Sequence, residues 1–180
     1  VACLAGRKPD VATDPMANRC ATPADEVVLS PGDWTSTHGD DSNSRFRSNT
    51  GVDAGAISSL QLKWSFAYPG RASGPVTLGG HRVFLASGSH VVSLDASGGC
   101  TRWVHPVDGR LVRAVSLATL PVPGAPGRAV LVFGDDSSTV TALDAGTGEV
   151  LWRTRVEEHV LSRITAAPSI HDGRVFAPIS

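Results

Sequence analysis

The sequence predicts an all-β protein, a partial β-propeller of about three four-stranded blades. Three observations carry that expectation. Short apolar-polar alternations recur, each bounded by Gly, Pro, Asp or Ser. An internal repeat holds Asp, Gly and Trp at fixed offsets. Finally, 19 Gly and 12 Pro accompany only 18% charged residues, a balance that suits many strands and turns better than helices.

In chain order, residues 1–32 carry Pro9, Pro15, Pro23 and Pro31 with little hydrophobic period. They read as an extended leader or linker, with the propeller blades occupying 33–180. Asp53 to Leu60 has the makings of one helical turn, kept short by Gly51 and Gly55. The strand candidates follow: Leu62–Phe66, Val83–Leu85, Val91–Leu94, Val130–Phe133, Val140–Leu143 and Val175–Ala177.

The repeat joins some of these strands into a unit. Ser93-Leu94-Asp95-Ala96-Ser97-Gly98-Gly99-Cys100-Thr101-Arg102-Trp103 returns as Ala142-Leu143-Asp144-Ala145-Gly146-Thr147-Gly148-Glu149-Val150-Leu151-Trp152, with Asp95 and Asp144, and Trp103 and Trp152, each 49 residues apart. A second echo links Gly74–Phe84 to Ala167–Phe176. The Asp side chain can accept from amides of the turn that follows, and Gly99 and Gly148 can take the positive φ of such a hairpin. Four residues on, an even offset along a strand, the indole can leave its own sheet and pack on the next. A lone four-stranded blade cannot bury both faces, so such units stack around a shaft. Trp64, Trp103 and Trp152 are therefore expected to be docking residues.

Several function classes drop out. Sixteen Lys and Arg stand against 17 Asp and Glu, a formal charge of −1, which lacks the basic footprint of a nucleic-acid binder. No apolar run reaches the ~18 residues of a transmembrane helix. No Ser-His-Asp pattern, phosphate loop or dinucleotide fingerprint occurs. Cys3, Cys20 and Cys100 contain no CxxC pair and allow at most one internal disulfide, its pairing open. Val1-Ala2-Cys3 has the form of a lipobox end, so Cys3 is read either as a lipid-bearing residue or as a small thiol or disulfide partner. The six histidines, 38, 81, 90, 105, 159 and 171, show no close metal-ligand spacing and read as turn or rim residues. Asp135-Asp136 lacks the spaced carboxylates of a calcium loop and reads as a hairpin turn with solvated acids.

The second copy of the repeat, A-x-D-x-x-T-G-x-x-x-W, resembles the tryptophan-docking motif of the pyrroloquinoline quinone (PQQ)-dependent alcohol dehydrogenases, the quinoproteins, which are eight-bladed propellers. Asp33-Trp34-Thr35-Ser36 with Gly39 to Phe46 resembles the segment that opens their propeller, and Ser59 to Phe66 the strand after it. Gly99 to Trp103 and Trp152 to Pro168 are most similar to the polyvinyl-alcohol dehydrogenase branch. The resemblance covers about residues 33 to 180. Eight blades of roughly 40–50 residues exceed the room available, so the chain is expected to be the N-terminal part of a longer protein.

The resemblance implies PQQ near the propeller axis with a bridging Ca2+, an alcohol substrate, a cytochrome c or quinone electron acceptor, and a periplasmic or secreted location. Arg163-Ile164-Thr165-Ala166-Ala167-Pro168 resembles the family's I-T-x-A-P segment, whose Thr contacts the cofactor, which makes Thr165 the first candidate. Arg163 is placed to pair with a PQQ carboxylate, and Arg113 falls where the first inner loop approaches the axis. An ordinary strand residue and two surface charges are the competing readings of the three. The vicinal Cys pair of the methanol-type enzymes is replaced by Ser116-Leu117. The family's metal-binding Glu, catalytic Asp and stacking Trp would all fall after Ser180, so no catalytic or metal ligand is expected here and the segment alone is expected to be inactive. The alternative is a non-catalytic scaffold similar to the outer-membrane assembly lipoprotein, which uses the same docking repeat.

Overall fold

A computed structural model describes residues 14–23, 25–39, 44–48, 50–53, 55–67, 74–108, 110–122 and 125–180. Cys3, and the Asp40–Asn43 part of the opening segment, lie outside the described residues. Two four-stranded antiparallel sheets dominate. The first contains β1 (Thr77–Gly79), β2 (Arg82–Ser87), β3 (His90–Asp95) and β4 (Thr101–Pro106) in that spatial order. The second contains β5 (Val112–Val122), β6 (Ala125–Asp135), β7 (Thr139–Asp144) and β8 (Val150–Arg155), again in sequence order. A hairpin of β9 (Ser169–His171) and β10 (Arg174–Phe176) begins a third unit. The helical turn expected after Asp53 is a 3-10 turn at Ile57–Ser59.

Strand periodicity sends alternate residues to opposite faces, and both faces of the first sheet are covered. Phe84, Ala86, Val91 and Trp103 meet Val115, Leu117, Leu131, Phe133 and Leu143 of the second sheet in one buried cluster. Val83, Leu85, Val92 and Leu94 point the other way, against Trp64 and Phe66. On the far face of the second sheet, Val130, Val132, Val140 and Ala142 pack with Ile164, Trp152, Ile170 and Val175. Each fully buried Phe, Leu or Val contributes roughly 1.5–3 kcal/mol. Sheet upon sheet, turned about a common inner edge of β1, β5 and β9, is the stacking expected of propeller blades.

The docking turns share one plan: Gly99 N–H donates to Asp95 O and Gly148 N–H to Asp144 O, both at 2.8 Å. Asp95 Oδ1 accepts from Ser97 N–H and Gly98 N–H at 2.9 Å each, and Asp144 Oδ1 accepts from Thr147 N–H at 2.8 Å. Gly99 and Gly148 have φ of +70° and +77°. Trp103 Nε1–H donates to Ala145 O at 3.1 Å, and Trp64 Nε1–H donates to Ala96 O at 3.0 Å. The run Leu62–Phe66 turns Trp64 and Phe66 inward as its alternation predicts, yet it joins no ladder among the described residues; its indole docks without a neighbouring strand.

Residues 14–23 and 25–36 form a strap over the same rim. Cys20 is disulfide-bonded to Cys100, and Thr101 N–H donates to Asn18 O at 2.7 Å. Asp25 pairs with the buried Arg82, and Val27 inserts into the inter-sheet core at 4% exposure. The strap then turns along the inner edges, where Leu78 N–H donates to Trp34 O and Leu117 N–H to Thr35 O, both at 2.8 Å. Single anchors of this kind, rather than a continuous apolar face, explain its lack of hydrophobic period.

Candidate functional site

The strand directions separate two rims. Docking turns, the strap and the β1–β2 turn occupy one. The opposite rim is made by the start of β5, the β6–β7 turn and the segment leading to β9. Arg113 lies at the start of β5, where its neighbour Val112 pairs with Asp135 at the end of β6. Ile164 N–H donates to Asp135 O at 3.1 Å, so Arg163 and Thr165 flank a residue held to that same turn. The structure thus brings Arg113, Arg163 and Thr165 to one rim. All three are exposed.

Neither guanidinium makes a hydrogen bond or ion pair to another described residue. Their backbones, by contrast, are well fixed. Arg163 exchanges two amide hydrogen bonds with Ser180, at 2.9 and 3.0 Å, and Thr165 Oγ1 lies 3.4 Å from Ser180 Oγ. Arg113 O packs so closely on Gly74 that a β-carbon there would come within 1.7 Å of it. An exposed guanidinium with no internal carboxylate to pair with remains available to an anionic ligand.

Beside Thr165, the stretch Ala166-Ala167-Pro168 walls a cavity of about 480 Å³ on the inner edge of the sheets. Thr35 and Ser36 of the strap and Ser116 of β5 line its other sides. Ser116 Oγ–H donates to Pro168 O at 2.6 Å, and Thr77 Oγ–H to Val115 O at 2.9 Å, so side-chain hydroxyls tie the inner strands together.

Several features were not readable as expected. Asp135, expected in a hairpin turn with solvated acids, does lie in such a turn but is 0% exposed. His105 sits on β4 rather than in a turn, half-buried 6.2 Å from the ring of Phe133, and burial pushes its imidazole below the ordinary range. The Asp25–Arg82 pair carried no sequence signal, since its members lie in a Pro-rich strap and a strand. No group of three or more His, Cys, Asp or Glu stands together as a metal site among the described residues.

Residues 54–178 match the family model described as outer membrane protein assembly factor BamB. The chain is 35% identical over 154 residues to a polyvinylalcohol dehydrogenase of Pseudomonas sp, a match covering 85% of this chain and 24% of that protein. It is 36% identical over 167 residues to the polyvinylalcohol dehydrogenase of Sphingopyxis sp. (strain 113P3), covering 92% and 25%. It therefore spans about a quarter of the length of these relatives. A solved europium-containing methanol dehydrogenase superposes with a TM-score of 0.68 at 21% identity, over 84% of this chain and 28% of that one, which bears on the fold. With the repeat, the blade stacking and these matches in agreement, the chain belongs to the quinoprotein alcohol dehydrogenase family of PQQ-type β-propellers.

Proposed function

We infer that this chain supplies a cofactor-facing rim to a PQQ-dependent dehydrogenase that oxidises alcohol groups, polyvinyl alcohol among them, and passes electrons to a cytochrome or quinone. One observation carries the reading: Arg113, Arg163 and Thr165 share a rim, and both guanidiniums are unpaired there. PQQ is a planar polycarboxylate, and two exposed cations with a hydroxyl on one rim fit it by donor type. Arg113 and Arg163 would hold carboxylates, and Thr165 would donate its hydroxyl to a ring or carboxylate oxygen. When bound, PQQ supplies a two-electron acceptor for the alcohol's hydride equivalent. The chain's own part is binding and orientation. No metal ligand is assigned to these residues, since no three His, Cys, Asp or Glu stand together among the described ones.

The Cys20–Cys100 disulfide supports export to the periplasm or beyond, since such bonds persist in oxidising compartments. The description of the matching family model favours a second reading, a scaffold without cofactor. Titrating PQQ into the full-length protein separates the two. The dehydrogenase reading expects saturable PQQ binding, dye reduction dependent on alcohol, and a Kd raised about 10-fold by Arg113→Ala or Arg163→Ala. Wild-type protein that takes up no PQQ would leave the scaffold reading standing.

A further inference from the structure

We propose that the β6–β7 turn, Asp135 to Ser138, is a clamp that fixes the spacing between Arg113 and the Arg163–Thr165 segment, with Asp135 and Asp136 as positioning residues for the ligand bound between them. The proposal rests on the functional reading above for the identity of that ligand.

The turn holds both arms of the site. On one side, Asp135 pairs with Val112 across β5 and β6, and Asp136 Oδ1 accepts from Leu111 N–H at 3.3 Å. Arg113 follows directly. On the other side, Asp135 O accepts from Ile164 N–H, and the Ile164 side chain, 1% exposed, lies on Gly134. A β-carbon on Gly134 would come within 2.2 Å of Ile164 Cγ2, so the approach depends on glycine there. Arg163 and Thr165 sit one residue either side of that contact. Val156 N–H donates to Ser138 O at 2.9 Å, which tethers the start of the connecting segment to the same turn.

The carboxylate of Asp135 sets the turn itself. Its Oδ1 accepts from Ser137 N–H at 2.8 Å, Ser137 Oγ–H at 2.6 Å and Thr139 N–H at 3.1 Å. These bonds hold Ser138 at φ +57°, a conformation unfavourable for a side-chain-bearing residue. Asp135 Oδ2 has no hydrogen-bond partner; its nearest cation is Arg153, at 3.9 Å. The clamp therefore works through one oxygen, and an amide can replace the acid. A ligand spanning two arms needs their gap held to within about 0.5 Å, so loosening the turn weakens binding without touching a ligand-contacting side chain.

The test uses full-length protein, PQQ as the probe, and hydrogen–deuterium exchange of the peptides containing Leu111 and Ile164. Asp135→Ala is expected to raise the PQQ Kd at least 10-fold and to speed exchange in both peptides. Asp135→Asn, which keeps the Oδ1 acceptor, is expected to stay within about 3-fold of wild type. Should Asp135→Ala fail to fold, Asp136→Ala removes only the Leu111 bond and is expected to raise Kd about 3- to 10-fold, with faster exchange at Leu111 alone. A folded Asp135→Ala or Asp136→Ala protein with wild-type PQQ affinity, or with unchanged exchange, overturns the clamp while leaving the dehydrogenase reading intact. Wild-type protein that binds no PQQ overturns both the functional reading and the clamp's role in it.

Discussion

The six-membered ring of Trp103 lies over Gly148 of the next sheet, so close that a β-carbon at Gly148 would stand 2.7 Å from Trp103 Cδ2. Trp64 stands in the same relation to Gly99, at 2.5 Å. Blade stacking is thus specified by a pair, a large flat ring and a residue without a side chain, together with a hydrogen bond from the indole to the turn. Neither member does the work alone.

Gly148→Ala is therefore expected to destabilise the full-length protein by about 2–4 kcal/mol, combining a strained φ of +77° with overpacking against Trp103. Gly173→Ala is the control. Its φ is +69°, but nothing lies within 4 Å, so about 1–2 kcal/mol is expected. Urea unfolding midpoints of the two variants check the difference, and equal losses would mean that the ring contact contributes nothing.

Cys20 and Cys100 close a loop of 80 residues. Replacing both with Ser is expected to cost about 2–4 kcal/mol, most of it through the unfolded chain. Dithiothreitol should lower the thermal midpoint of the wild type towards that of the double variant and leave the double variant unmoved.

Arg82 is 2% exposed, whereas its partner Asp25 is 70% exposed, so the pair is asymmetric. Asp25→Ala leaves a buried guanidinium with only the Asp25 carbonyl and the Ser93 hydroxyl, and a loss of about 1–2 kcal/mol is expected after allowing for solvent at the carboxylate. Arg82→Met removes the charge and the need for a partner together, so it should be the milder change. Chemical denaturation of both variants ranks them.

Among the groups that shape the response to acid are His105 and Asp95. Burial holds His105 below its ordinary pKa of 6.5, with the nearby Arg153 acting in the same direction. Above 6.5 both folded and unfolded chains carry it neutral. As pH falls below 6.5 the unfolded chain gains a proton that the folded chain resists, and stability declines. Hydrogen bonds from Ser97, then from Arg102, hold Asp95 well below the carboxylate range. Its contribution is complete above about pH 4 and fades as pH falls further. Thermal midpoints between pH 7 and pH 5 should drop in the wild type and flatten in His105→Gln; Asp95→Asn should flatten the response below pH 4 only.

Most of the blade architecture was legible because it rests on local chemistry. Asp95, Gly99 and Trp103 each do in space what their residue types allow within a few positions, and the second copy repeats them. The alternation of Val83, Phe84 and Leu85 gave the two faces correctly. The strap was less legible, since Cys20, Asp25 and Val27 find partners far along the chain and no period announces them. Asp135 was misread for a related reason: a turn acid is ordinarily wet, and only the arrival of Ile164 and the β7–β8 side of the sheet seals it. Of the three candidate ligand residues, Thr165 and Arg163 are proposed from resemblance. That they share a rim with Arg113 follows from the Val112–Asp135 pairing and the Ile164–Asp135 hydrogen bond, which a linear pattern does not encode.

The strap also fixes an order of events during biosynthesis. Residues 14–35 emerge from the ribosome early, but Thr101, Cys100 and Leu117, to which they attach, are made some 80 residues later. The strap must stay unattached until the sheets that receive it exist, and its covalent lock waits for an oxidant as well as for a partner. A closed Cys20–Cys100 bond therefore records that the first sheet has been made and that the chain has met an oxidising compartment.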